Sequence, residues 1–94
     1  MAILVSVEPF QIGNKWGLSS KGRIMVPPIY RNVQSPVGRY SAVETYPGIW
    51  SVIAVDGRME VEVRYEEVVI HTDETVDLTV RLGKVISMRL GRRN

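Results

Sequence analysis

The residues with the widest chemical repertoire are few. His71 is the single histidine, and Asp73 follows two positions later. A histidine beside a carboxylate can act as an oriented general base, but it then needs a nucleophile. There is no cysteine, so that nucleophile would have to be a serine, and disulfides, zinc–thiolate sites and thiol catalysis are excluded. Ser19, Ser20, Ser35, Ser41, Ser51 and Ser87 show no nucleophile-elbow spacing. Glu60, Glu62, Glu66 and Glu67 form the second cluster. Paired carboxylates can cleave glycosidic bonds or hold a hard cation. Here Glu60 and Glu62 fall on the polar side of an alternating strand, which favours a solvated face cross-paired to Arg81, Lys84 or Arg89. No Ca²⁺-loop spacing, phosphate-cradling loop or dinucleotide fingerprint is present. The expectation is therefore no catalytic residue, no cofactor site and no metal site.

The third cluster is basic: Arg81, Lys84, Arg89, Arg92 and Arg93. Net charge is only +2 but is blocked. Five Lys/Arg face two acids over residues 1–47, two face seven over 48–74, and five face one over 75–94. Opposite-sign strands paired in one sheet would explain the blocks. A basic stripe for an acidic partner is the competing explanation, and nucleic acid is the partner it would fit.

The elements that must position these groups are strands. Met59-Glu60-Val61-Glu62-Val63-Arg64-Tyr65 alternates strictly, placing Met59, Val61, Val63 and Tyr65 on one face. Val76-Asp77-Leu78-Thr79-Val80-Arg81-Leu82 does the same. Each predicts a half-buried strand. Ile49 to Val55 is apolar on both faces, as a doubly covered strand would be. Asp56-Gly57 between apolar runs predicts a type I′ hairpin turn. Gly13-Asn14, Lys21-Gly22, Pro47-Gly48 and Gly83-Lys84 mark other turns, and Pro27-Pro28 belongs at a strand end or a sheet edge. No window keeps helical spacing. The expected fold is all-β: seven to nine short strands in an antiparallel meander, closed as a barrel or packed as a two-sheet sandwich, with little or no helix.

Ninety-four residues suit one domain, 1–94. The opening MAILVSVEPF lacks a basic start and is broken by Glu8 and Pro9, so it reads as a first strand and not a leader. No run approaches a membrane span, and the expectation is a cytoplasmic protein with no membrane partner.

An internal repeat orders these elements. Displaced by 34 residues, Trp16 falls on Trp50; with one further residue inserted, Gly22-Arg23 falls on Gly57-Arg58, Tyr30 on Tyr65 and Val33 on Val68. Each unit would be a tryptophan strand, a glycine turn and a returning strand that ends in tyrosine. A lone hairpin cannot bury its apolar face, so stacked copies share a core. The units run about 14–47 and, more degenerate, about 48–71, followed by a hairpin at 75–90.

The first unit resembles the WG (KWG) repeat of bacterial proteins. Lys15-Trp16-Gly17-Leu18 matches its opening, Lys21-Gly22-Arg23 its turn and Val26-Pro27-Pro28-Ile29-Tyr30 its close. In the second unit Ser51 follows Trp50 where the motif has glycine, and Glu62-Val63 replaces the proline pair. The last twenty residues match little. The resemblance implies a β-repeat fold and an interaction or structural role without a reaction. Trp16, Gly17, Gly22, Pro27, Pro28, Tyr30, Trp50, Gly57 and Tyr65 are then fold residues. The functional expectation is a non-catalytic module for a protein partner or for self-association. The alternative is a small nucleic-acid-binding β-barrel that uses Arg81, Lys84, Arg89, Arg92 and Arg93.

Overall fold

The computed structural model of the chain describes residues 6–91. Arg92 and Arg93, and the first half of the expected opening strand, lie outside the described residues. Nine strands are present among the described residues: β1 (Glu8–Ile12), β2 (Lys15–Ser20), β3 (Arg23–Tyr30), β4 (Asn32–Val33), β5 (Tyr40–Tyr46), β6 (Ile49–Ala54), β7 (Glu67–Ile70), β8 (Thr75–Thr79) and β9 (Val85–Arg89). One 3₁₀ turn, Arg81–Gly83, joins the last two. The expected all-β class holds. Among the described residues no barrel closes: the strands make three separate antiparallel sheets, in orders β1-β2-β3, β4-β5-β6 and β7-β8-β9.

The period-two pattern decides how the sheets pack. On the middle sheet, Val33 of β4, Val43 of β5 and Ile53 of β6 point one way and join Leu18, Val26 and Tyr30 of the first sheet. Tyr40, Ala42, Val52 and Ala54 point the other way and join Val68, Val76 and Leu78 of the third sheet. The middle sheet is thus covered on both faces, which is why β6 is apolar throughout. Two small cores result, one on each side of it.

The middle and third sheets share one register. Asn32↔Glu44 in the middle sheet corresponds to Glu67↔Thr79 in the third, each partner 35 residues on. Tyr40↔Ala54 corresponds in the same way to Thr75↔Arg89, and Ala42↔Val52 to Asp77↔Ser87. Side-chain chemistry separates them. The outward face of the middle sheet is Tyr40, Ala42, Val52 and Ala54; the matching face of the third is Thr75, Asp77, Ser87 and Arg89. A face that stacks on a neighbour has become a face that meets water.

Three local expectations need correction. Residues 59–65 are not a regular strand. Glu60 and Val61 both donate to the Val52 carbonyl, and the next pairing is Trp50 with Tyr65. The segment must therefore bulge, because four residues or more oppose two. Val61 and Tyr65 stay buried, but Met59 is 49% exposed. Second, β8 stops at Thr79, and Leu82, expected on its apolar face, is 98% exposed at φ 72° in the connecting turn. Third, Asp56-Gly57 is not a type I′ turn: only Gly57 has positive φ. Gly57 N–H donates to Ala54 O, and Ala54 N–H to Arg58 O, which is a three-residue loop ending in a left-handed glycine. The type I′ turn is at Lys21-Gly22, with φ of 51° and 79° between the paired Ser20 and Arg23.

Candidate functional site

Both hairpins set a tryptophan opposite a tyrosine: Trp16↔Tyr30 and Trp50↔Tyr65. The tyrosines are buried and the tryptophans half-buried, so these four rings serve the two cores. Burial holds the Tyr30 phenol above its ordinary pKa. Pro27 and Pro28 lie in β3, an edge strand, where its register against β2 shifts; a missing N–H costs little there. Gly17 is required by contact. A Cβ at this position would overlap the Val26 carbonyl and the Pro27 backbone. Gly22 and Gly57 close the two turns described above.

The titratable clusters are tied up internally. His71 does not pair with Asp73. Its Nε2 lies 2.9 Å from Asp77 Oδ2, and Ser87 Oγ donates to Asp77 Oδ1 at 2.7 Å. The carboxylate sits between serine and histidine, whereas a nucleophilic relay needs the imidazole there. These bonds, Ser87 first and then His71, hold the Asp77 pKa below its ordinary value. Asp73 accepts from the Thr75 hydroxyl and N–H and is lowered in the same direction, chiefly by the hydroxyl. This network is the polar outer surface of the third sheet. Among the described residues no group of three or more His, Asp or Glu converges as a metal site would.

The glutamates depart from expectation. Alternation predicts an outward Glu60, but its side chain is only 11% exposed, with Arg58 at 3.8 Å. Glu62 is solvated and lies 3.7 Å from Arg64. Asp56, Glu60 and Glu62 thus find their partners, Arg58 and Arg64, within the acidic segment itself. The predicted cross-strand partners Arg81, Lys84 and Arg89 do not reach it among the described ion pairs. Nor do those three cations gather. Arg81 and Lys84 are at the turn end of the last hairpin, and Arg89 is at the far end of β9 with its guanidinium on Asp73 O. Five strand residues separate the ends by roughly 16 Å.

Apolar surface is exposed as well. Every residue of β9 is exposed, including Val85 (55%), Ile86 (37%) and Met88 (41%). β9 is the edge of its sheet, and among the described residues no strand lies on its other side. Met88 also borders a hollow of about 420 Å³ with Met59, Glu60, Val61, Glu62 and Tyr65. A larger hollow of about 640 Å³ is open between Trp50, Val37 and β7. Sequence reasoning found the basic residues around β9 but not its apolar edge. A signal was present: Val85-x(5)-Gly91-Arg92 repeats the spacing of Trp16-x(5)-Gly22-Arg23, with valine in the tryptophan position.

No family model, curated protein or solved structure matches this chain.

Proposed function

We propose that this chain is a non-catalytic protein-interaction module built from WG-like β-hairpin repeats. The observation that carries the reading is the exposed apolar strand β9 on an open sheet edge. Edge strands with unpaired backbone groups are natural templates for partner strands. The chemistry-bearing residues support it from the other side. His71, Asp77 and Ser87 are bonded in an order that does not activate the serine, and Arg39, Arg58 and Arg64 are each beside a carboxylate. That pairing, with Arg81 and Lys84 held apart from Arg89, favours a protein partner over nucleic acid.

The test is affinity capture from lysate, split into nuclease-treated and untreated halves and washed at rising salt. The module reading expects the same proteins in both halves, retained at high salt. Recovery that disappears with nuclease, or falls steeply with salt, would transfer the function to nucleic acid.

A further inference from the structure

We propose that the free edge of β9 receives one extended strand from another protein chain, antiparallel, in the place that residues 23–30 take beside β2 and residues 58–65 take beside β6. The inference rests on the interaction-module reading and names the partner's form.

The backbone supplies the first argument. Leu90 N–H donates to Glu74 O, and Val80 N–H to Lys84 O. In an antiparallel ladder, residues alternate between facing the partner and facing away. Lys84, Ile86, Met88 and Leu90 therefore face β8, and the N–H and C=O groups of Val85, Ser87 and Arg89 point out of the sheet. Their equivalents 35 residues earlier are Trp50, Val52 and Ala54. Those are the residues whose backbones bond the returning segment: Trp50 with Tyr65, Val52 with Glu60 and Val61, Ala54 with Arg58. The third sheet repeats the hydrogen-bonding edge of the second without its covering strand among the described residues.

Side chains say that one strand, and not another stacked sheet, is the occupant. The outer face of the third sheet carries Thr75, Asp77, Ser87, Arg89 and the bonded His71 around two exposed valines, Val69 and Val85, and so offers little apolar area for stacking. The edge is different. The two edges of the first sheet carry Pro9 and Pro27-Pro28, a common means of blocking strand addition. β9 has no proline, and its pairing with β8 runs without a register shift.

The internal strands also specify the occupant. Their pattern places an apolar residue opposite Met88, as Ile24 is opposite Ser19 and Met59 opposite Ile53. That side chain would lie on the face of Met88, beside the hollow shared with Met59 and Val61. A tyrosine belongs opposite Val85, as Tyr30 is opposite Trp16. At the remaining position Arg23 faces Ser20 and Arg58 faces Ala54, but here the resident residue is Arg89. Like charges opposed across strands repel, so the partner carries an acidic residue there.

The probe is a labelled peptide of residues 58–65 carrying Arg58→Glu, titrated against the whole chain by fluorescence anisotropy; unlike residues 23–30, this segment already packs beside a residue with a Cβ, Ser51, at the position that Ile86 holds in β9. Saturable binding, weakened several-fold when the peptide keeps Arg58, is expected. Val85→Pro removes the outward N–H whose equivalent, Trp50 N–H, donates to Tyr65 O; it lies at the first residue of an edge strand, where proline is tolerated, and should weaken binding roughly tenfold. Val85→Ala keeps that N–H and should bind nearly as the parent does. Circular dichroism and melting confirm that both variants fold. Absent peptide binding, or binding indifferent to Val85→Pro, overturns the proposal. So does a parent chain that is a dimer by sedimentation and becomes a monomer with Val85→Pro, because the occupant would then be a second copy. If lysate proteins are still captured when the peptide fails, the edge inference falls and the module reading stands; if neither binds, both fall.

Discussion

The hairpin of β2 and β3 and the hairpin of β6 and residues 58–65 solve one problem with different residues. Each must bring a returning strand against a tryptophan strand, absorb surplus residues in a bulge, and reach a tyrosine. In the first, Gly17 lets the Val26 carbonyl come where a Cβ would sit. In the second, Ser51 holds the equivalent position. Its hydroxyl donates to the carbonyl of Val61, the residue equivalent to Val26, at 2.6 Å. One copy makes room for a carbonyl; the other satisfies it. The turns differ in the same spirit. Two left-handed residues close the first, and a three-residue loop closes the second, which accounts for the one-residue insertion between the repeats. Equivalent positions thus tolerate different residues only when the local backbone changes with them.

That comparison can be broken most sharply at Gly17. Gly17→Val drives side-chain atoms into backbone that cannot swing away, and should cost about 3 kcal/mol or more, read as a lowered urea midpoint. Ser51→Gly, the reciprocal change, meets no clash but loses the buried hydroxyl and gains backbone freedom, and should cost about 2 kcal/mol. Trp50→Ala and Trp16→Ala come next. Both rings are only half-buried, so about 2–3 kcal/mol is expected for each in thermal melts, toward the low end for core aromatics. Ser51→Ala should cost about 1–2 kcal/mol, because the buried hydroxyl leaves the Val61 carbonyl without that donor. At the turns, Lys21→Gly relieves a lysine held at positive φ and should change stability by less than about 1 kcal/mol, in the stabilising direction. Gly57→Ala should destabilise by about 1 kcal/mol.

Acid sharpens the contrast between the ends of the molecule. The folded pKa values of Asp73 and Asp77, and that of Asp56 at the second turn, lie below the ordinary 3.8. Folding therefore favours their charged forms. The associated stability is complete above the ordinary value and is lost as pH falls through the folded ones. A melt series should be insensitive to these groups near neutrality and decline below about pH 4, and Asp77→Asn should soften that decline. An unchanged acid profile in Asp77→Asn would contradict the bonded network.

The sequence made some of this architecture readable and hid the rest for physical reasons. Alternation identified β8, and the doubly apolar run identified β6 as a covered strand. The Trp-to-Tyr spacing placed both hairpins in order. Alternation failed at 59–65 because a bulged segment and a straight strand can share one pattern; only the partner register tells them apart. It failed at Leu82 because the chain turns after Thr79, and period two carries no length. The pair Asp56-Gly57 fits two loop lengths, and only the Ala54 to Arg58 pairing shows which one forms. The hairpin at 75–90 is legible as a hairpin but not as a further copy of the unit, because its outer face is polar and Val85 stands in the tryptophan position, so the motif that reveals the unit is erased where the stack meets solvent. Glu60, Arg89 and His71 show why sites are harder still: their partners are set by contacts between segments, which spacing along one strand does not encode.

The most direct test of the account is residue-resolved amide hydrogen exchange on β9, with and without the Arg58→Glu peptide. An open edge that accepts a strand predicts fast exchange at Val85 and Arg89 in the free protein, slow exchange at their equivalents Trp50 and Ala54, and new protection at the first two when the peptide binds. Amides at Val85 and Arg89 that are already protected in the monomer, or that stay unprotected with peptide bound, would contradict it.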